Sequence, residues 1–295
     1  MKILIAGATG FIGKALCRYL LSQGHSVIVR TRDLASIGPN VQGINHLREL
    51  DIEDAIDVAI NLAGEPIADK RWSLKQKEAI CDSRLRITQE FVDYFKVADE
   101  KPEVFISSSA IGYYGINSTD DDIDENAQGD NSFSSELCYQ WESIAGQSEA
   151  LGIRTCLLRT GIVLGEKGGA LAKMLPIFKL GLGGRIGSGK QWMPWIHLAD
   201  MVSIIDFCIH NADICGAINC TAPHPVNNRS FTQVLAKRLN RPAFFHVPAI
   251  VIKLMAGQMG KELLLSGKKV QPVKLNKAGY SFKYNDLSDA LKSIH

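Results

Sequence analysis

A short apolar run that enters a glycine turn and then a helical pattern constrains the fold of this chain more than any other feature. Residues Lys2–Ala6 form the run, and the segment 7–13 (GATGFIG) follows it directly. Apolar side chains then recur at i and i+4 up to Leu20, which predicts a helix with Gly24 at its C-terminal cap. A strand, a tight turn and a helix in this order predict the first unit of an α/β sheet.

Further strand-like and helix-like segments alternate through the first half of the chain. Strands are predicted at Ser26–Arg30, 57–62, 104–108 and 155–159, with a weak one near 43–47, and helices at 74–95 and 136–151. Parallel strands need crossover connections, and strands that are apolar throughout are buried on both faces. The predicted fold class is therefore α/β, with a doubly wound parallel sheet of the Rossmann type.

The pattern changes after Gly161. The stretch 165–189 is rich in glycine and contains a short apolar helix at 171–179, and a helix at Leu198–His210 and a strand at 217–220 follow. The tail contains helices near 231–239 and 248–259. We expect a Rossmann domain built from residues 1–165 and 196–225, and a smaller, mostly helical C-terminal lobe built from residues 166–195 and 226–295. The acidic segment 120–125 is expected to be a solvated turn rather than a metal site.

Charge and cysteine content exclude several classes of protein. The chain has 33 Lys and Arg against 31 Asp and Glu, a net charge of +2, which argues against a nucleic-acid partner. No run approaches the ~18 apolar residues of a membrane helix, so no membrane partner is expected. The seven cysteines are odd in number and form no C-x-x-C pair. We interpret them as free, mostly buried thiols of a cytoplasmic protein, without a metal site.

The turn after the first strand has the spacing of a phosphate-binding loop. Its glycines allow a tight turn and let the backbone approach a pyrophosphate, whose charge is stabilised at the helix N-terminus. The strand–turn–helix context makes the motif specific, so the sequence predicts a dinucleotide cofactor. The residues that we assign to this contact are Gly7, Thr9, Gly10, Phe11, Ile12 and Gly13.

The end of the second predicted strand selects between the two nicotinamide dinucleotides. An acidic residue there would accept the 2′-hydroxyl of NAD, but the sequence has Arg30-Thr31-Arg32. A guanidinium at Arg32 can hold a 2′-phosphate through two bonds or stack on adenine, and Thr31 can donate to the phosphate. The sequence therefore predicts NADP as the cofactor.

Several motifs together resemble the extended short-chain dehydrogenase/reductases, the nucleotide-sugar epimerase/dehydratase-like proteins. The glycine turn, segment 61–66 (NLAGEP) and segment 107–109 (SSS) are typical of the superfamily. The segments 112–115 (GYYG), 158–165 (LRTGIVLG), 168–175 (GGALAKML), 181–189 (GLGGRIGSG) and 195–197 (WIH) resemble an uncharacterised epimerase-family branch that has a distinct C-terminal module. The resemblance covers nearly the whole chain.

The resemblance implies further cofactor contacts. The adenosine half would lie over the small turn that follows the fourth strand, Asn61, Leu62, Ala63 and Gly64. Arg84 stands where relatives usually have Asn, near the ribose and pyrophosphate, with Glu78 as a weaker candidate and Thr160 near the nicotinamide. His197 and Asp200 resemble a structural His-x-x-Asp pair. The resemblance also allows a homodimer through helices of the first domain.

The predicted catalytic centre departs from the family pattern. Redox members use Ser, Tyr and Lys in a Tyr-x-x-x-Lys helix, where the lysine lowers the pKa of the tyrosine. Ser109 fits the serine, but the helix has Cys138 and Glu142 at the other two positions. A carboxylate raises the pKa of a neighbouring acid, so the usual relay cannot operate.

Three interpretations of this centre stay open. In the first, Tyr113 or Tyr114 supplies the hydroxyl beside Ser109, with Glu142 or Cys138 as the proton group. In the second, the protein binds NADP and catalyses another reaction or none. In the third, it is a nucleotide-responsive regulator.

The substrate side is expected to come from the C-terminal half. Arg185 and Trp192 lie on a glycine-rich connection, and Arg71 and Trp72 are candidates from the opposite side. Cationic and aromatic groups suit a cleft for an anionic or ring-bearing ligand. The alternative, weighed equally, is that Trp192 and Trp195 seal the interface between the two domains.

These observations predict an NADP(H)-dependent oxidoreductase or epimerase that acts on a carbonyl or sugar-nucleotide-like small molecule, whose identity the sequence does not give. The competing hypothesis is a non-catalytic NADP-binding sensor or regulator, because some relatives in the branch carry a cell-division-inhibitor label. The absence of Tyr and Lys favours the sensor, and the presence of Ser109 favours the enzyme.

Overall fold

Strands and helices follow one another along the chain in the alternation that the sequence predicts. The structure is a computed structural model that describes residues 1–38, 40–51, 53, 55–117 and 120–294. The strands are β1 (Lys2–Ala6), β2 (Ser26–Arg30), β3 (Gln42–Ile44), β4 (Val58–Asn61), β5 (Val104–Ala110), β6 (Asp122–Ile123), β7 (Arg154–Thr160), β8 (Ile162–Leu164), β9 (Gly184–Ile186), β10 (Trp192–Met193), β11 (Trp195–His197), β12 (Gly216–Cys220), β13 (Val226–Asn227), β14 (Phe245–Val247) and β15 (Lys269–Val270). The helices are α1 (Phe11–Ser22), α2 (Leu74–Val97), α3 (Phe133–Gly146), α4 (Gly169–Lys179), α5 (Leu198–His210), α6 (Asn228–Arg238), α7 (Ala249–Leu263), α8 (Val273–Lys277) and α9 (Leu287–Lys292).

Seven strands form one parallel sheet in the order β12-β7-β5-β4-β1-β2-β3. Successive residues of a strand point to opposite faces, so Ile3 and Ile5 pack in the core with α1 and α5, whereas Leu4 and Ala6 pack in a second core with α2. Both faces are thus covered, which explains why these strands are apolar throughout. The predicted doubly wound Rossmann fold is confirmed.

The strand order reverses beside β1, whose two neighbours are β2 and β4. In open α/β sheets, ligands bind outside the carboxyl ends of the strands at this switch point. The turns that follow β1, β2 and β4 therefore lie together, at the edge where the sequence predicts the cofactor.

The C-terminal part of the chain builds its own core and also returns to the sheet. Leu171, Phe178 and Phe231 are buried in a separate cluster with α9. Leu275 of α8, however, is fully buried in the core between the sheet and α1 and α5. Residues near 275 thus complete the sheet domain, although the predicted division assigns them to the lobe.

The acidic segment 120–125 is exposed at Asp120, Asp121 and Asp122 and half-buried in the rest. Its strand β6 pairs with β15, and Asp122 forms a 3.0 Å ion pair with Lys269. The Glu125 carboxylate accepts from the backbone amides of Asn219 and Lys274, each at 3.2 Å. The predicted solvation thus holds for the exposed half, and the sequence did not show the pairing because the partners of these carboxylates come from distant parts of the chain.

The predicted structural role of the His-x-x-Asp pair is confirmed. The His197 Nδ1 accepts from the amide of Ala199 at 3.0 Å and caps α5. The Asp200 carboxylate is buried and accepts from the amides of Lys283 and Tyr284 at 2.7 and 3.0 Å. The pair therefore fixes the C-terminal tail to α5.

All seven cysteines are free thiols, and Cys215 is exposed. Within the part of the chain that the structure describes, no helix combines the length and the apolar character that crossing a bilayer requires.

Candidate dinucleotide site and buried polar centre

The glycine turn after β1 is held in close contact with the turn after β4. Gly7 has φ +82°, and a Cβ there would lie 2.5 Å from the carbonyl carbon of Leu62. A Cβ at Gly13 would lie 2.2 Å from the carbonyl oxygen of Gly7, so the first turn of α1 packs directly on the loop. Neither position tolerates a side chain without moving the backbone.

The N-terminus of α1 is open to an anion. Its N-cap is Gly10, which supplies no side-chain hydrogen bond, and its first turn contains no acidic residue. The first amides of a helix lack intrahelical partners and carry partial positive charge. Gly7, Thr9 and Gly10, which precede this helix directly, border a cavity of about 1440 Å³ that runs past the ends of β2 and β4 to α2.

The far end of the cavity is rich in arginine. Arg30, Arg32, Arg48 and Arg86 line it. Arg30 donates through Nη2 to Glu90 at 2.9 Å, whereas its buried Nε has no hydrogen-bond partner in the structure. The sequence pattern indicated Arg32 but not the other three, because only the folded chain brings them into the same cavity.

The Thr31 hydroxyl lines the cavity but already has local partners. It donates to the carbonyl of Asp33 at 3.3 Å and accepts from the Asp33 amide at 3.2 Å. Both bonds hold the turn after β2, so the predicted donation from Thr31 to a phosphate competes with this turn.

Two residues that were predicted to contact the cofactor form hydrogen bonds that hold the turn after β4. The Asn61 side-chain oxygen Oδ1 accepts from the amide of Ala63 at 3.1 Å, and its Nδ2 donates to Thr88 at 2.9 Å. Arg84 donates to the carbonyls of Ile80 at 3.0 Å and Glu65 at 3.1 Å. Burial lowers the pKa of the Arg84 guanidinium.

The predicted cofactor residues thus separate into two groups. Those that line the cavity are Gly7, Thr9, Gly10, Thr31, Arg32, Leu62, Ala63 and Gly64. Those outside its lining are Phe11, Ile12, Gly13, Asn61, Glu78, Arg84 and Thr160. Glu78 is exposed on α2, and the Phe11 ring packs closely against Gly165, Gly168 and Gly169.

The centre predicted to be catalytic is a buried ion pair with attached hydroxyls. Ser109 at the end of β5 donates to Glu142 Oε1 at 2.6 Å. Arg159 of β7 donates to both carboxylate oxygens of Glu142, from Nε at 2.9 Å and from Nη2 at 2.8 Å. All three side chains are buried, so the paired charges are shielded from water.

Sequence analysis missed Arg159, although an arginine inside an apolar strand is a signal that a buried anion lies nearby. Glu142 stands where the family has lysine, and Arg159 supplies the positive charge from another element. The charge reversal that the sequence shows on α3 is therefore compensated in the fold.

Tyr114 extends this network away from Ser109. Its hydroxyl donates to Asn219 Oδ1 at 2.6 Å and accepts from Arg159 Nη1 at 3.0 Å. Burial raises the pKa of the Tyr114 hydroxyl to about 12, so it stays neutral. Arg159 separates Tyr114 from Glu142, and the half-buried Tyr113 lies with its ring 3.5 Å from the same guanidinium.

Cys138 is buried beside Ser109, and its pKa is raised to about 11 by burial and then by the charge of Glu142. The predicted direction of this shift is confirmed. The Cys138 side chain is therefore a neutral thiol near neutral pH.

The predicted substrate residues are not brought together as expected. Trp72 is buried, donates through Nε1 to the carbonyl of Ile67 at 2.8 Å and packs edge-on against Phe133, so most of its ring is used in packing. The Trp192 Nε1 donates to Asp120 at 3.2 Å. Arg71 is exposed, and Arg185 is half-buried.

The alternative of an interface seal fits Trp195, because its fully buried Nε1 donates to the carbonyl of His224 at 3.3 Å.

A doubly wound sheet, an uncapped helix N-terminus at its switch point and a large bordering cavity define a dinucleotide-binding α/β protein. Residues 3–220 match the family described as the NAD dependent epimerase/dehydratase family, and residues 247–294 match a domain of unknown function, DUF1731. The chain belongs to the NAD dependent epimerase/dehydratase family.

Relatives that match over nearly the whole chain support this assignment. The "Epimerase family protein SDR39U1 homolog, chloroplastic" of Arabidopsis thaliana is 37% identical over 304 residues, which cover 100% of this chain and 86% of that protein. The "Epimerase family protein YfhF" of Bacillus subtilis is 36% identical and covers 100% of this chain and 98% of that protein. The crystal structure of human epimerase family protein SDR39U1 with NADPH has a TM-score of 0.90 at 35% identity and covers 100% of this chain and 99% of that chain.

Proposed function

We propose that this protein binds NADP(H) and uses it as an oxidoreductase or epimerase on a carbonyl or sugar-nucleotide-like small molecule. The observation that carries the proposal is the cavity that joins the uncapped N-terminus of α1 to the four arginines near the end of β2. The human relative whose structure contains NADPH supports the choice of NADP over NAD.

The residues of the cavity fit this cofactor. The lack of side chains at Gly7 and Gly13 lets the turn pack tightly against its neighbours and the first turn of α1, whose amides stabilise negative charge. At the other end, Arg32 is exposed to the cavity, and the buried Nε of Arg30 has no acceptor among the residues that the structure describes. Guanidinium groups bind phosphate through paired hydrogen bonds, so these residues would hold the 2′-phosphate.

The buried centre would handle the proton of the reaction. When bound, the cofactor exchanges a hydride between its nicotinamide ring and a carbon of the substrate. The Ser109 hydroxyl donates its hydrogen to Glu142, so Ser109 Oγ would act as the acceptor toward a substrate hydroxyl. A proton then passes from the substrate to Ser109 Oγ, and the Ser109 proton passes to Glu142 Oε1, while Arg159 holds the carboxylate in place.

Tyr114 and Cys138 take no part in this transfer. The Tyr114 hydroxyl donates its hydrogen to Asn219. The Cys138 thiol has a pKa of about 11, so it stays protonated at neutral pH and cannot accept a proton. We therefore expect Tyr114→Phe to lower stability and to leave proton transfer intact.

Calorimetric titration with NADPH and NADH tests the cofactor assignment. We expect Arg32→Ala and Arg48→Ala each to weaken NADPH binding by about tenfold, the cost of a lost charge-assisted contact, and to leave NADH binding unchanged. Arg18→Ala is the matched control, because Arg18 is exposed on α1 and lies outside the cavity lining. Tighter binding of NADH than NADPH by the unmodified protein would refute the assignment.

A panel of carbonyl compounds and nucleotide sugars then tests the enzymatic function through oxidation of NADPH. With an accepted substrate, Glu142→Gln should abolish turnover while NADPH affinity is retained. NADPH binding without turnover on any member of the panel would favour the sensor hypothesis instead.

A further inference from the structure

Ionised side chains are distributed very unevenly along this chain, although its net charge is only +2. Residues 167–199 and 214–261 contain 11 Lys and Arg and no Asp or Glu. All 31 acidic residues therefore lie in the other parts of the chain. The two stretches include α4, α6 and most of α7, so these elements carry a net positive charge, except at the end of α7.

The same two stretches expose large apolar side chains. Phe244 is 91% exposed, and Leu180 and Leu254 are 75% and 70% exposed. The full set of exposed large apolar residues in these stretches is Ile177, Leu180, Leu182, Phe244, Phe245, Ile250, Val251, Leu254 and Met255. The basic residues Lys179, Arg241 and Lys253 lie among them in sequence and are themselves exposed.

Strand pairing brings these segments together. β14 pairs with β9, with Phe245 opposite Gly184, and a Cβ at Gly181 would lie 3.6 Å from Pro242. α7 begins two residues after β14 ends. We call residues 177–182, 241–245 and 250–255 the apolar–basic surface.

Monomeric proteins rarely expose large apolar patches unless these bind a partner. The residues of the apolar–basic surface line neither the dinucleotide cavity nor the second cavity of about 480 Å³ near α5. The first two turns of α7 are apolar at almost every position, with Lys253 as the exception, and Phe244 stands almost fully free of the protein. Side chains that project in this way suit a deformable partner surface, such as a lipid layer, better than a rigid protein groove.

We propose that the apolar–basic surface binds an anionic phospholipid bilayer. Phe, Leu and Met side chains would enter the boundary between headgroups and acyl chains, while the surrounding Lys and Arg attract the acidic headgroups. The charge pattern supports lipid because no carboxylate occurs in either stretch to repel such a surface. The expectation of no membrane partner rested on the lack of a spanning segment, and peripheral binding does not need such a segment.

Sedimentation of the full-length protein with vesicles tests the proposal. One set of vesicles contains equal parts phosphatidylglycerol and phosphatidylcholine, and the other contains phosphatidylcholine alone. We expect the protein to sediment with the anionic vesicles and not with the neutral ones. Binding should weaken as salt rises from about 0.05 to 0.5 M, because the Debye length shortens from roughly 14 to 4 Å.

A pair of double variants separates this surface from general stickiness. Lys253→Gln/Leu254→Ser removes one cation and one apolar side chain from α7. Leu74→Ser/Lys75→Gln makes the same changes on α2, where Leu74 is 82% exposed and Lys75 is also exposed. Removing the charge should weaken binding about fivefold, and removing the leucine should weaken it about tenfold. The α7 variant should therefore bind anionic vesicles at least tenfold more weakly. The α2 variant should bind within twofold of the unmodified protein, with both melting temperatures unchanged.

Three results would overturn the proposal. The protein does not sediment with anionic vesicles, or it sediments equally with neutral ones, or both double variants lose binding to the same extent. A dimer in lipid-free sedimentation velocity that the α7 variant dissociates, combined with no vesicle binding, would assign the surface to a second copy of this chain instead.

Discussion

Replacing Arg159 with methionine removes the cation that keeps the Glu142 carboxylate stable in a buried site. The arginine donates twice to Glu142, once to Tyr114 and once, at 3.0 Å, to the carbonyl of Glu125. Side chains of Arg159 and Glu142 are 5% and 9% exposed, so water cannot replace the lost bonds. Breaking a buried pair by removing one partner typically costs about 3–5 kcal/mol, and we expect a loss of this size.

Urea denaturation followed by circular dichroism measures the effect through a double-mutant cycle. Arg159→Met alone should lose about 3–5 kcal/mol, whereas Arg159→Met combined with Glu142→Gln should lose clearly less than the sum of the single changes, because the stranded charge is gone. Lys96→Met is the matched control. It breaks the exposed pair with Asp93 at 2.8 Å and should cost less than about 1 kcal/mol. A loss of under about 1 kcal/mol for Arg159→Met, or strict additivity in the cycle, would show that the two charges do not depend on each other.

Three further predictions follow from single positions. Gly13→Ala should prevent stable folding or NADPH binding, because its Cβ would lie 2.2 Å from the Gly7 carbonyl, whereas Gly146→Ala, in open space with helical φ and ψ, should stabilise the protein by about 0.5–1 kcal/mol in the same urea assay. Burial, with help from the charge of Lys283, lowers the pKa of His197 from 6.5 to about 4, so between these values the unfolded chain binds a proton that the folded chain does not. Stability should therefore fall as pH is lowered from 6.5 to 4, and His197→Gln should flatten this slope while His210→Gln, at an exposed site, should not. A thiol reagent should label Cys215 fast in the native protein and Cys138, Cys156, Cys208 and Cys220 only on unfolding; fast native labelling of any of these four, read by mass spectrometry, would contradict their burial.

The elements that sequence analysis predicted well are those with a strong local pattern. β1, β2 and α5 have the predicted bounds, because an unbroken apolar run or a regular 3.6-residue repeat marks each of them. The predicted helix 136–151 begins earlier, at Phe133, and ends earlier, at Gly146, with a 3₁₀ turn over Gln147–Leu151. The short helices α8 and α9 were not predicted, since five or six residues carry too little periodicity to be recognised.

The candidate site divides in the same way. The glycine turn was predictable because its residues are adjacent in sequence, and eight of the predicted cofactor residues line the cavity. Arg48 and Arg159 were not predicted, because Arg48 reaches the cavity and Arg159 meets Glu142 only in the folded chain. The burial of Trp72 was not predictable, because an aromatic residue beside an arginine has the same local sequence in a core as in a cleft.

The C-terminal region completes the polar centre rather than standing beside it. Glu262 of α7 accepts from the amide of Ser134 at 3.0 Å and from its hydroxyl, and so caps the N-terminus of α3, the helix that carries Glu142. On the other side, Asn219 bonds to Tyr114 at 2.6 Å and donates to the carbonyl of Gln271 at 2.9 Å.

Residues of the region that matches DUF1731 thus hold both ends of the hydrogen-bond network around Arg159. Removing a carboxylate from a helix N-terminus, or a partner from a buried amide, destabilises the fold. The ion pair that replaces lysine on α3 therefore depends on the tail for its geometry, which gives a physical reason for the two matched regions to occur in one chain.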